Sequence, residues 1–283
     1  MPMPEAPELE KLLSSQLGAV FERVTVLSLI DSTNAEAIRR MHALQEPSQL
    51  VVGLSQSAGR GRRGRQWQSP AGAGLYLSIT QSFSKSLAEL QPLSLISALS
   101  VVEALATTGV GEARVKWPND VQVAGKKLAG ILLETCQNGD SPIIVFGIGI
   151  NLDLPDEVIA DIERPVTDVR RELDKLGVTF EAADLLLELC QVFTRNLALF
   201  MEKGFAAFQQ TWNELDAYYE QEVSILNGDQ ELRGMSKGVD AQGALLVCDT
   251  HEVLHRISGG EVFPSLRPVL SGQATEAVDG AAN

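Results

Sequence analysis

The sequence predicts an α/β or α+β layer followed by a small β-barrel, on three observations. Short β-type runs alternate with helical ones between Arg23 and Gly149. A long amphipathic pattern then runs to a stop at Gly204. After Tyr219, brief apolar runs are separated by hairpin signals in quick succession. With 283 residues, 45% hydrophobic and 21% charged, the chain can bury a substantial core, and one large domain plus a small one is the natural partition.

Met1 to Leu17 mixes prolines and acids and has neither a basic nor an apolar leader region. No later stretch approaches the roughly 18 uninterrupted apolar residues of a membrane span, so a soluble, cytoplasmic protein is expected. A strand-like run then enters Asp31-Ser32-Thr33-Asn34, and Ala35 to Met41 continues as a helix. The tetrapeptide reads either as a helix N-cap or as hydroxyls and an amide converging on a polar, uncharged ligand group. Gly74 to Thr80 alternates cleanly, with Leu75, Leu77 and Ile79 on one face and Tyr76, Ser78 and Thr80 on the other. Apolar residues at helical spacing from Leu87 to Thr107 predict a core-facing helix that Gly109 stops.

Lys116 to Asp120 (KWPND) reads as a strand ending at a proline turn, with Trp117 in the core. Val121–Val123 and Leu128–Glu134 bracket Ala124-Gly125-Lys126 as a hairpin whose far strand carries Lys127 near its start. Ile143 to Phe146 predicts a buried strand leading into a glycine-rich loop, Gly147 to Asn151. Leu185 to Met201 marks the long helix. Asn227-Gly228, Asp240 to Gly243 and Ser258 to Gly260 then punctuate a barrel of about 50 residues. The expected domains are 1–218, 219–270 for the barrel, and a disordered tail over 271–283.

The formal net charge of −14 argues against non-specific attraction to nucleic acid or anionic lipid. Against that background Ala58 to Arg65 (AGRGRRGR) concentrates four arginines and three glycines, which suits a phosphate or nucleotide clamp as well as a solvated basic loop. Neither familiar nucleotide motif is intact. Gly59 to Gly64 is followed by Arg65-Gln66 rather than Lys-Ser/Thr, and Gly147 and Gly149 are followed by Leu152 where a third glycine is needed. The glycines of 147–151 read most simply as permitting close packing. Lys127 beside Gly130 in an apolar strand suggests a charge aimed into a pocket. Three widely spaced cysteines, Cys136, Cys190 and Cys248, suggest neither a disulfide framework nor a metal site and are expected to be reduced packing residues.

In order, DSTN, SQSAGRGRRGRQW, VKWPND, KKLAGILLE and GIGIN resemble the catalytic module of biotin protein ligases (biotin–acetyl-CoA-carboxylase ligases), from about Val24 to Asn151. KGVDAQGALLV and GGEVFPSLR resemble, more loosely, the family's C-terminal domain. The resemblance implies an α+β, mixed-sheet catalytic domain of the biotin/lipoate ligase type with a small C-terminal SH3-like β-barrel. It implies formation of biotinyl-5′-adenylate from biotin and ATP with Mg²⁺, then transfer of biotin to a lysine of the biotin carboxyl carrier domain of acetyl-CoA carboxylase. By motif, Ser32, Thr33, Asn34 and Gln56 match the biotin-side polar contacts, and Arg60, Gly61 and Arg62 the adenylate clamp. Lys127 matches the lysine facing carboxylate and α-phosphate. Gly130 and Asn151 complete the ligand-side set, Asp120 is the candidate for orienting or deprotonating the carrier amine, and no metal ligand is assigned.

DSTN begins at residue 31, so its leader falls below the roughly 40 residues an unstapled domain needs, and DNA binding is not expected. A homodimer is compatible with the family. Gly260 to Arg267 runs two residues longer than the usual form, so no barrel residue is carried over. The rival readings are a lipoate or octanoate protein ligase, and a non-enzymatic nucleic-acid binder using the RGRRGR loop.

Overall fold

Leu9, Leu13 and Leu17 recur every fourth residue, which gives Ala6–Leu17 (α1) one apolar face, and all three are buried. The leucine spacing, rather than the prolines and acids of the leader, is the signal for this helix. In the computed structural model, which describes residues 3–44, 47–138, 141–227 and 230–264, α1 packs beside the edge strand Arg23–Leu27 (β1). Glu10 on α1 accepts a hydrogen bond from the Val26 amide at 2.7 Å, which occupies one backbone donor of that edge.

Thr33–Leu44 (α2) crosses from β1 to Gln49–Gly53 (β2), and the two strands pair in parallel. Every other pairing in the sheet is antiparallel. Gly74–Ser82 (β3), Arg114–Lys116 (β4), Asp120–Val123 (β5), Lys126–Asn138 (β6) and Ser141–Asn151 (β7) complete seven strands in the order β1-β2-β3-β7-β6-β5-β4. This is the mixed sheet the resemblance implied. Leu93–Thr108 (α3) and Ala182–Lys203 (α6) pack on one face together with α1. On the opposite face α2 covers a separate small cluster of Ala37, Val51 and Val145.

Two expectations need correction. The helix predicted from Leu87 starts at Leu93, because Pro92 has no amide hydrogen and disfavours helical backbone before it; Ser86 to Glu89 instead form a turn capped by the Glu89 carboxylate. The strand predicted to end at Phe146 continues to Asn151, since Gly147 and Gly149 pair with Ser78 and Tyr76 on β3 and with Leu132 and Gly130 on β6. The alternation expected in β3 is present, and both faces are buried: Tyr76, Ser78 and Thr80 lie under α2 and the loops, their hydroxyls all hydrogen-bonded. Gly109 does stop α3, at φ 103°. The hairpin expected at Ala124-Gly125-Lys126 is present, with a turn of two residues, Ala124 and Gly125 at φ 47° and 77°, because Lys126 already pairs with Val123.

Asp156–Ala160 (α4) and Val169–Asp174 (α5) fill the connection to α6, and Gln209–Leu215 (α7) leads to the C-terminal part. There Glu222–Asn227 (β8), Gln230–Val239 (β9), Leu245–Cys248 (β10), Leu254–Ile257 (β11) and Glu261–Pro264 (β12) form an antiparallel sheet in the order β11-β10-β9-β8-β12. The expected tail, 271–283, and the end of the expected barrel lie outside the described residues. The three cysteines are free, with Cys190 fully buried in the core. Among the described residues no helix is long and apolar enough to cross a membrane.

Candidate functional site

The β1–β2 ladder extends past both strands through an Ile30–Gln56 bridge, which sets DSTN beside Gln56. Gln56 Oε1 accepts from the Thr33 amide at 2.8 Å and from its hydroxyl at 3.2 Å, while Nε2 donates to Ser69 Oγ. The arginine-glycine loop leaves from this point and returns as a narrow hairpin: Arg60 bridges Gln66, Gly61 N donates to Arg65 O, and Trp67 N donates to Gly59 O.

Glycines on β6 and β7 leave a trough beneath the loop. Added Cβ atoms at Gly149 and Gly130 would lie 2.6 and 2.9 Å from the Trp67 indole, and one at Gly147 would collide with the Asn34 amide. Close packing, the simple reading of these glycines, is therefore borne out, and the same glycines line the cleft. Lys127 reaches the trough because of a β-bulge. Gln122 pairs with Lys127 and Val121 with Ala129, so Leu128 is extra and Lys127 shares a face with Gly130, three residues away. In a regular strand the two would point to opposite faces.

Ser32, Thr33, Asn34, Gln56, Arg60, Gly61, Arg62, Lys127 and Gly130 thus converge on one open-mouthed cleft. Trp67 and Asn119 join them; both were visible only as members of the QW and KWPND blocks. Asn151 does not line the cleft. It is buried, and its amide donates to Thr167 O at 2.9 Å and Lys127 O at 3.4 Å, bracing the segment around Lys127. Asp120 lies one layer out, its carboxylate 2.5 Å from Lys127 Nζ.

Positive charge is concentrated here within an acidic protein. Burial lowers the pKa of Lys127, with Asp120 opposing, and burial likewise lowers those of Arg62 and Lys116. Lys127 Nζ lies 5.2 Å from the Trp67 ring centroid, Arg62 donates to Asn119 Oδ1 at 2.8 Å, and Lys116 lies over the Tyr218 and Phe263 rings. Arg60 pairs with Glu134 at 2.7 Å. Arg65 and Arg63 reach Glu261 on β12, at 2.7 and 3.6 Å, so the four arginines divide between cleft and C-terminal sheet. A second cleft, floored by Trp117 and Pro118 and walled by Gln242 to Ala244, opens beside the first and shares Arg62, Asn119 and Ile131 with it.

A desolvated lysine and arginine at one end, with hydroxyls and amides at the other, can receive an anion joined to a neutral polar group. Residues 26–151 match the model of the biotin/lipoate A/B protein ligase family, and residues 219–263 that of the biotin protein ligase C-terminal domain. The chain is 37% identical to the bifunctional ligase/repressor BirA of Salmonella typhimurium, over 84% of this chain and 73% of the relative. It is 33% identical to a biotin–[acetyl-CoA-carboxylase] ligase of Paracoccus denitrificans, over 87% of this chain and all of the relative. The solved biotin protein ligase of Aquifex aeolicus, in complex with biotin and ATP, is 30% identical and superposes with a TM-score of 0.70 over 86% of this chain and 98% of its own. Matched in both its catalytic and its C-terminal parts, the chain belongs to the biotin protein ligases of the biotin/lipoate A/B protein ligase family.

Proposed function

We propose that the protein activates biotin with ATP to biotinyl-5′-AMP, releasing diphosphate, and then transfers biotin to a lysine of a biotin carboxyl carrier domain of acetyl-CoA carboxylase, in the cytoplasm. The observation that carries this reading is the convergence of the DSTN turn, Gln56, the arginine-glycine loop and Lys127 on one cleft. The neutral ureido ring of biotin offers one carbonyl and two N–H groups, which Ser32, Thr33 and Gln56 can satisfy, and its apolar body suits the Trp67 and Ile148 walls.

In the first step a biotin carboxylate oxygen attacks the α-phosphorus and the bond to the β-phosphate breaks. Two anions must approach, so positive charge at the junction lowers the barrier; Lys127 and Arg62 supply it from desolvated positions, and Arg60 and Gly61 clamp the adenylate. In the second step the carrier amine attacks the acyl carbon and AMP leaves. Asp120, against Lys127, orients that amine. The described residues include no group of three or more His, Cys, Asp or Glu able to hold a metal, and Asp120 is held by Lys127. Mg²⁺ is expected to enter on the ATP phosphates, as MgATP, because it keeps to phosphate and water oxygens.

ATP–pyrophosphate exchange tests the reading. Exchange should require biotin and should not respond to lipoate; exchange with lipoate in place of biotin, or none with biotin, would refute it.

A further inference from the structure

Glu134 takes part in none of the roles above, yet it joins two walls of the cleft. It lies on β6, on the same face as Gly130 and Leu132, in register with Val145 of β7. One oxygen, Oε2, accepts from Asn34 Nδ2 and from Arg60 Nη2, each at 2.7 Å. Asn34 belongs to the start of α2 and Arg60 to the arginine-glycine loop, whose first residues are already tied to the DSTN turn by Ser57 N to Ile30 O and Ala58 N to Asp31 O; the carboxylate on a central strand adds a second tie, further along the loop at Arg60.

The bonding around Asn34 shows what the carboxylate controls. Asn34 is 3% exposed, and its Nδ2 donates to Glu134 and, at 3.4 Å, to Leu132 O. Its Oδ1 accepts the Ser78 hydroxyl at 2.5 Å. A carboxylate only accepts, so it draws the amide's NH₂ side toward itself and turns Oδ1 to Ser78. The amide presses on the backbone of Gly147, where no Cβ could fit. Asn34, a candidate ligand contact from its motif, is therefore spent on internal bonds that set the floor of the cleft beside Ser32 and Thr33.

We propose that Glu134 is a positioning residue of the biotin-binding end. Acting through Asn34 it fixes the DSTN turn, and through Arg60 it fixes the loop, so that the two close on the ring as one unit. This rests on the biotin-activating reading of the cleft. The shared oxygen makes the conservative variant informative: Glu134→Gln, in the rotamer that places its oxygen at the Oε2 position, still accepts both hydrogen bonds while it loses the charge and turns the other oxygen into an NH₂, whereas Glu134→Ala leaves the buried Asn34 NH₂ without its main acceptor.

Exchange kinetics and hydrogen exchange, run on the full chain, test this. Glu134→Ala should raise the KM for biotin about 10-fold or more, the range expected for an unpaired buried polar group, with kcat within about threefold. Glu134→Gln should stay within about threefold of the parent in both. Amides of residues 57–66 should exchange faster in Glu134→Ala than in the parent or in Glu134→Gln. A loss of kcat at unchanged KM, an equal defect in both variants, or unaltered loop protection in Glu134→Ala would overturn the proposal. If the parent shows no biotin-dependent exchange, the activity reading fails, and loop protection in the variants still decides the coupling.

Discussion

At the residue scale, function turns on how few cations are placed in the cleft and how dry they are kept. Lys127 is packed against Trp67 and Asp120 and keeps only a small exposed fraction, toward the cleft. Lys127→Gln keeps much of the length and removes the charge. It is expected to slow pyrophosphate exchange about 100- to 1000-fold, with biotin affinity by calorimetry changed far less. Near-normal exchange, or a rate loss accounted for wholly by weaker biotin binding, would remove Lys127 from the junction. Its pKa also sets a pH limit. Burial lowers it, so the cation is lost as pH rises through a value below the ordinary ~10.4 of lysine. The kcat–pH profile should fall on the alkaline side earlier than an unperturbed lysine would allow, and that limb should be absent from Lys127→Gln.

At the element scale, β7 and the connection after α7 each carry a feature that one substitution can test. In Gly149→Ala the new Cβ meets the indole of Trp67, a large ring between the loop and the sheet that cannot give way cheaply. The variant should fold, with a strand content by circular dichroism like the parent's, and should bind biotin at least about 10-fold more weakly. Unchanged affinity would show that the trough does not shape the ring subsite. Asp216 joins β4 through a Val115 bridge and is buried, with Oδ2 unpartnered among the described residues. Burial pushes its pKa up to about 6. Below about pH 4 the group is neutral in both folded and unfolded chains and costs nothing. Between about pH 4 and 6 the unfolded chain ionises first, so stability falls as pH rises; above 6 the cost, about 2–3 kcal/mol, is fully present. Asp216→Asn retains the Oδ1 that accepts from the Tyr218 amide. It should stabilise the protein at pH 7.5 and not at pH 4, by urea unfolding. A gain of equal size at both pH values would exclude ionisation as the cause.

At the scale of the whole molecule, the C-terminal sheet is not an appended module. Val223, Ile225, Val239, Leu245, Val247 and Val262 belong to the same continuous core as α3 and α6. Trp117 Nε1 donates to Gly243 O at 3.2 Å, Asn213 and Gln209 on α7 bond to Val239, and Glu261 meets the arginine loop. A shared core unfolds cooperatively, so calorimetry should give one transition, coincident with tryptophan fluorescence and far-UV circular dichroism. Two resolved transitions would mean that the interface is weaker than its buried side chains indicate.

What the sequence by itself determined is local: the stop of α3 at Gly109, the Ala124-Gly125 hairpin, the end of α6 at Gly204, and the residue chemistry of DSTN, the arginine-glycine loop and Lys127. These depend on backbone preferences and functional groups carried by a few adjacent residues. Tertiary structure alone decided that β7 runs through its glycines, because β3 and β6 pair with them on both sides, and that only glycine fits there, because Trp67 and Asn34 from distant segments occupy the Cβ positions. It decided that Lys127 faces the cleft, because a bulge shifts the register of β6 by one residue. It also turned Asn34 and Asn151 inward: an amide can serve a ligand or the backbone equally well, and only the neighbours brought by the fold, Glu134 and Ser78 for one, Thr167 for the other, determine which bonds it makes.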